Sequence, residues 1–301
     1  NLALEVAMKS IVLLKNESEL LPLNKNNQTI ALIGPLASDK NSSLGNWRSQ
    51  AISNSATSVL EAMINYSGNK LFYEKGVDLY YNNTDFHNRV NLNLDDRSEF
   101  NKAKTVAEKA DIVVMVLGEE GYQSGEGRSR TNIKLPGLQL ELLKEIYEIN
   151  KNIVLVVNSG RPLDLSWEDE NIPTIVQAWQ LGSRSGEAIA KVLYGDYNPS
   201  GKLTMSFPRN VGQVPIYYNF KNTGRPSTSI EQVTNSGYAD VENSALYPFG
   251  HGLSYTKFSY TDVLLDKTEL TLKSKITLSF KIKNIGTKKG TEIAQMYIRD
   301  V

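Results

Sequence analysis

Apolar positions in this chain fall into short unbroken runs separated by stretches of helical spacing. Ile112 to Leu117 reads IVVMVL, too short for a buried helix and too uninterrupted for a strand with one wet face. It predicts a central strand of a parallel sheet. Thr29 to Gly34 and Asn152 to Asn158 repeat the pattern, and Lys70 to Val77 and Thr174 to Trp179 read as further strands. Between them Ala56 to Ile64, Glu99 to Ala110, Leu138 to Ile149 and Ser185 to Tyr194 have helical spacing. In the third of these Leu138, Leu142, Ile146 and Ile149 share one stripe. Pro136 is expected to open that helix, because proline is favoured at a first helical position. At the start, Leu2 to Lys15 carries Leu2, Val6 and Ala7 on one helical face and runs into Ile11 to Leu14. Pro22 then discourages a helix through the turn Leu20 to Leu23.

Strands alternating with helices imply parallel pairing with right-handed crossovers. The expected fold class is therefore α/β, a doubly wound and mostly parallel sheet with helices on both faces, over residues 29–207. A linker helix and turn (1–28) precede it, and an irregular polar arm (208–245) follows. Residues 246–301 are expected to begin an antiparallel β unit. There Lys275 to Lys283 alternates, with Ile276, Leu278, Phe280 and Ile282 on one face. Glu292 to Ile298 is expected to be its hairpin partner across the Asn284 to Gly290 turn. A sandwich needs about seven strands, and the helical pattern is already under way at Leu2, so both ends are expected to continue in a longer protein.

Composition changes this picture mainly by exclusion. A length of 301 residues corresponds to roughly two domains. Lys plus Arg and Asp plus Glu are both 33, with no basic block, so no nucleic-acid partner is expected. No apolar run approaches the roughly 20 residues that span a bilayer, and no signal peptide is visible. The absence of cysteine removes thiolate nucleophiles, disulfides and thiolate metal sites. The two histidines are His87 and His251. With no metal-ligand cluster and no glycine pattern of a nucleotide site at a strand-helix junction, no cofactor is expected.

Candidate chemistry concentrates after Gly118. Ligands in open α/β sheets collect at the carboxyl ends of strands, and this end carries Glu119, Glu120 and then Glu126 between Gly125 and Gly127. Flanking glycines let a loop reach across a cleft. Glu119 and Glu120 sit at the strand end itself, where side chains are held rigidly, and Glu119 reads as structural. A competing possibility for Glu126 is simple pairing with Arg128 or Arg130. Trp47, in the loop after the first parallel strand, suits either a binding platform or a core position. His251 lies in what reads as a docking segment, as a packing residue. His87, in a polar loop, is expected to be solvated.

Several motifs in order resemble one family: LLKNESELLPL at Leu13 to Leu23, IALIGPLA at Ile30 to Ala37, GNW at Gly45 to Trp47, GEEGYQSGEGRSRTNIKLPGLQ at Gly118 to Gln139, GDYNPSGKLTMSFPR at Gly195 to Arg209, and LYPFGHGLSYTKF at Leu246 to Phe258. They are similar to glycoside hydrolase family 3 β-glucosidases of the bacterial periplasmic kind. That resemblance implies a (β/α)8 barrel, then an α/β sandwich domain, then a fibronectin type III-like domain, with this chain covering the second and the start of the third. It implies a retaining mechanism with an aspartate nucleophile on the barrel and Glu126 as the acid/base. Trp47, Tyr122 and Ser124 are then the candidate substrate-binding residues, with no metal. The implied partners are a β-glucoside or oligosaccharide, the barrel of the same protein and a second copy in a homodimer, in a periplasmic or secreted setting. Two alternatives stay open: a non-catalytic sugar-binding or structural module, and a family relative acting on xylosides. The SGEGRSR loop argues against the N-acetylglucosaminide subgroup, whose acid/base comes from the barrel.

Overall fold

The computed structural model describes residues 2–48, 50–64, 66–82, 84–227, 234–269, 271 and 273–299. Its central element is β4 (Ile112–Gly118), of which every residue is buried. Around it stand β2 (Thr29–Ile33), β3 (Lys70–Glu74), β5 (Ile153–Asn158) and β6 (Thr174–Gln177), with β1 (Val12–Asn16) at one edge. Six strands form one sheet in the order β1-β6-β5-β4-β2-β3. All neighbours are parallel except β1, which runs antiparallel to β6. The expected doubly wound architecture is thus what the chain adopts.

Successive residues of a strand point to opposite faces, and here both faces are roofed by helices. Val113, Met115 and Leu117 of β4 pack with α3 (Phe100–Glu108) and α4 (Gln139–Ile149) through Phe100, Ala103, Leu142 and Ile146. Val114 and Val116 pack on the other side with α2 (Val59–Met63) and α6 (Ser185–Leu193) through Val59, Met63 and Ile189. Helix α2 is only a turn and a half long, but Ser58 caps it with a reciprocal hydrogen-bonded box to Glu61, which satisfies its first free amides.

Several local expectations are corrected. The opening helix α1 (Leu2–Ser10) stops before Ile11, and the following VLLKN is strand β1. Its apolar residues Val12, Leu13 and Leu14 are buried, and pairing with β6 there outweighs continued helix. Leu2 and Val6 are exposed whereas Ala7 is buried. Pro136 does not open α4, because Gly137 adopts a positive φ of 65° and separates it from the helix, which begins at Gln139. A short helix, α5 (Ser166–Asn171), was not anticipated. Its sequence, SWEDEN, lacks an apolar period.

Beyond the α/β unit, β7 (Phe258–Leu265) and β8 (Leu278–Asn284) form an antiparallel ribbon. The partner of β8 is therefore upstream of it and not Glu292 to Ile298, which is in no strand among the described residues. Register slips between Thr261 and Leu264, where Asp262 takes a positive φ of 53°, and that bulge interrupts the alternation that would have marked β7 in the sequence. The later segment instead lies against Gly250, whose carbonyl accepts from Gln295 Nε2 at 2.9 Å. The connecting stretch includes one 3-10 turn, Val211–Gln213, and residues 228–233 of the expected arm lie outside the described ones.

Glu168 in α5 is buried, and its Oε1 has no hydrogen-bond partner among the described residues. Burial pushes its carboxyl up to about 7; Asp164 adds to this, while a backbone hydrogen bond, Lys134 and Lys144 oppose it. Between the ordinary value of 4.5 and about 7 the folded chain holds a proton that the unfolded chain releases, so stability falls as pH rises through that window. Glu168→Gln should gain on the unsubstituted chain between about pH 5 and about pH 8, by at most about 3 kcal/mol in urea unfolding. A difference that does not change with pH would remove the proton from this argument.

Candidate active site

The parallel strands stand in the order β3-β2-β4-β5-β6. The chain therefore winds one way from β2 and the other way from β4, which opens a crevice between the carboxyl ends of those two neighbours. The loops leaving β2 and β4 meet over it. Gly118 sets the exit from β4: its φ is +141°, and a Cβ there would stand 1.8 Å from the Asn158 carbonyl oxygen. The buried Gln139 side chain holds the peptides on both sides of the Gly118 Cα, accepting from Gly118 N at 2.9 Å and donating to Gly118 O at 2.8 Å. The chain thus enters its loop in one fixed direction.

Glu119 follows immediately and is buried. Arg130 Nη1 reaches its Oε1 at 2.6 Å and Arg161 Nε reaches it at 3.1 Å. A buried carboxylate must be paired, and two guanidiniums do that here. Glu120, also buried, accepts from the Tyr122 amide at 2.6 Å and from Thr84 Oγ1 at 3.0 Å, and pairs with Arg48 Nη2 at 3.3 Å. Burial pushes the Glu120 carboxyl up, against those three partners. Both residues are thereby committed to internal contacts, as expected for Glu119.

Glu126 differs from both. It is exposed, between Gly125 at φ +108° and Gly127 at φ +68°, and has no hydrogen bond or ion pair among the described residues. The competing pairings are not formed: Arg130 is engaged by Glu119 and Arg128 donates to the Phe86 carbonyl.

From the β2 side, Asp39 Oδ1 accepts the amides of Asn41 and Ser42 at 2.8 and 2.6 Å, which starts a tight 3-10 turn at Ser42–Leu44. The turn delivers Asn46, Trp47 and Arg48 to the crevice. Trp47 is 71% exposed, which rules out the core alternative. Arg48 lies over the Tyr122 ring at 4.1 Å, and Phe86 meets the same ring edge-on at 6.4 Å. Asn46 is buried with both amide atoms unpartnered among the described residues, and it packs so closely on Gly125 that a Cβ there would come within 2.8 Å of Asn46 Cγ. Together these groups line a cavity of about 590 Å³. His87 is exposed, as expected, and stands in the cavity wall beside Phe86.

Ser124 is placed differently from Trp47 and Tyr122. It is buried, is not part of the cavity lining, and its Oγ accepts from Gln180 Nε2 at 3.0 Å. His251 is a packing residue: Nε2 donates to the Leu14 carbonyl at 2.8 Å and the ring stacks on Tyr247 at 5.1 Å. Arg48, Thr84, Phe86 and Asn46 were not singled out from the sequence. Arg48 directly follows the Trp47 motif and could have been; Phe86 sits in a stretch whose polarity gave no sign that it folds onto a site.

Residues 11–255 match the family model described as the glycosyl hydrolase family 3 C-terminal domain. The chain is 42% identical to a periplasmic beta-glucosidase of Salmonella typhimurium, over 99% of the chain and 40% of that protein. It is 36% identical to a beta-xylosidase of Formosa agariphila, again over 99% of the chain and 40% of the relative. Among solved structures, a mutant beta-glucosidase from Listeria innocua in complex with laminaribiose superposes with a TM-score of 0.84 at 33% identity, covering 96% of this chain and 38% of that one. The chain thus spans about two-fifths of the length of the curated relatives it matches.

The geometry at the β4 exit has a direct test. Gly118→Ala forces both a left-handed residue with a Cβ and a collision with backbone that cannot yield, which places it at the upper end of single-substitution effects, about 3 kcal/mol or more. Urea unfolding of the variant should show a midpoint lowered accordingly. A loss under about 1 kcal/mol, the cost of an ordinary exposed change, would mean that β4 and β5 can part there without consequence.

Proposed function

The chain belongs to glycosyl hydrolase family 3, and from that premise we propose that it is the part of a retaining β-glucosidase that supplies the general acid/base, Glu126, to a nucleophile carried on a (β/α)8 barrel. One observation carries the assignment: of the three carboxyls that follow β4, two are locked by arginines and Glu126 alone is uncommitted and open to solvent. A group that must touch both a leaving oxygen and, later, a water has to be free in this way.

The chemistry follows from the position. In the first step Glu126, protonated, gives its proton to the glycosidic oxygen as the barrel carboxylate attacks the anomeric carbon and forms a glycosyl-enzyme. The Glu126 carboxylate then takes a proton from water, which adds to the same carbon and releases the sugar. Retention requires the two carboxyls to stand about 5 to 5.5 Å apart, so the tip of the Gly125 to Gly127 loop must face the barrel. The exposed Trp47 and the Tyr122 and Phe86 rings supply apolar faces on which the departing sugar can stack. Ser124, fixed behind the loop, serves this binding by holding the loop's root.

Relatives named for glucosides and for xylosides both match over nearly the whole chain. The glucoside reading takes the higher identity, and the xyloside reading stands second. A periplasmic setting follows the name of the Salmonella relative.

The 301-residue chain by itself should not hydrolyse an aryl β-glucoside measurably, because double displacement needs both carboxyls. Turnover by the purified chain would end this reading. In the barrel-bearing protein, Glu126→Ala should lose roughly 10² to 10⁴-fold on a disaccharide, whose alkoxide must be protonated to leave. On a dinitrophenyl glucoside the first step should be nearly spared, a glycosyl-enzyme should accumulate, and azide should restore turnover as the β-glycosyl azide. Equal losses on both substrates without an azide effect would take the acid/base away from Glu126.

A further inference from the structure

The glycines that let the Glu126 loop reach a substrate also leave it conformationally undefined, since glycine populates both signs of φ at little cost. Definition has to come from outside the loop, and it comes from the end of β5. After Asn158 the chain runs through Ser159 and Gly160 to Arg161. Arg161 Nη2 donates to the carbonyls of Gln123 and Arg128 at 2.5 and 2.8 Å. Those two residues bracket the segment 124–127. Arg161 Nε meanwhile faces Glu119, at 3.1 Å from Oε1 and 3.3 Å from Oε2. Gly160 packs directly on the root of the loop, where a Cβ would stand 2.0 Å from Ser124 Oγ.

One guanidinium therefore spans the two ends of a four-residue bridge, with its charge compensated by a carboxylate that cannot move. We propose that Arg161 is the positioning residue of the acid/base, clamping both feet of the loop so that the Glu126 carboxyl is presented at one point instead of swinging over many. This rests on the assignment of Glu126 as acid/base. Glu119 has its part in the same device: it orients Arg161 and stays out of the chemistry. The arrangement needs arginine. A planar fork can satisfy a carboxylate along one edge and two carbonyls along another, whereas a lysine ammonium is a single point and cannot span them.

Displacing a reacting group by about 1 Å can cost on the order of 10²-fold in rate, and the loss should fall on the step that needs the proton. In the barrel-bearing protein, Arg161→Lys should therefore lose about 10²-fold in kcat on a disaccharide with little change in KM, but no more than about threefold in the first step on a dinitrophenyl glucoside. Added to Glu126→Ala, it should cost less than about threefold more, because residues acting through one another do not add. Amide exchange at residues 125–127 should accelerate at least about tenfold in the same variant. Should Arg161→Lys fail to fold, Glu119→Gln, which keeps the shape and removes the charge that orients Arg161, should reproduce the selective loss on the disaccharide.

Equal losses on both substrates, or a full additional loss on top of Glu126→Ala, would overturn the role of Arg161. Glu126→Ala measured alone separates the two claims. If it discriminates strongly between leaving groups and Arg161→Lys does not, only the positioning role falls. If Glu126→Ala itself is flat, the acid/base assignment falls and takes this inference with it.

Discussion

The site depends on how one buried negative charge is neutralised. Glu119 has been taken out of water at the end of the central strand, and an ion in that position is tolerated only when opposite charge and hydrogen bonds replace the solvent it lost. Two guanidiniums provide them, from Arg130 further along the same loop and from Arg161 at the end of the neighbouring strand. The three side chains bind together the exit of β4, the exit of β5 and the segment between. Such a cluster contributes little net stability compared with an apolar replacement, but removing one partner leaves the other charge buried and unpaired, which is strongly destabilising. Hydrophobic contacts could have glued these segments in many ways; two forked cations on one carboxylate permit very few.

Around that cluster the sheet supplies rigidity. Every residue of β4 and β5 is buried, and both faces of the sheet are roofed by helices. The solvent-open part of the site is small: the tip at residues 125–127 and the side chain of Trp47. Much of what lies behind them is held by polar contacts: the Gln139 pair on Gly118, the Gln180 contact to Ser124 and the amides gathered by Asp39 and Glu120.

What the sequence disclosed follows the same physical divide. Ile112 to Leu117 was legible because a strand buried on both faces leaves an unbroken apolar run, and Leu142 and Ile146 because one helix face is dry. Ile11 to Leu14 was misread because its run abuts a helix with no turn residue between them. Asp262 hid β7 by breaking a two-residue period. Glu126 is a candidate through its glycine neighbours and the resemblance carried by SGEGRSR, and Trp47 through the GNW motif; what the structure adds is that both are exposed. The contacts that organise them were not legible. Arg161 lies 42 positions from Glu119 and Arg48 lies 72 from Glu120, and no local pattern links residues brought together only when the sheet closes.

The strand order also divides labour between two loops. The aromatic and amide groups delivered by the β2 loop hang from a different strand than the carboxyl delivered by the β4 loop, and the two meet chiefly through Arg48 on Tyr122 and Asn46 against Gly125. A substitution in residues 35–58 therefore acts first on the cavity wall formed by Trp47 and Arg48, and reaches residues 124–127 through Asn46 against Gly125. Under the function proposed above, the surface facing the sugar and the proton donor are carried by two different loops. The matched relatives are named for glucosides and for xylosides alike, and a site assembled from two loops on two strands places the aromatic wall and the Glu126 carboxyl under separate stretches of sequence that must stay in contact.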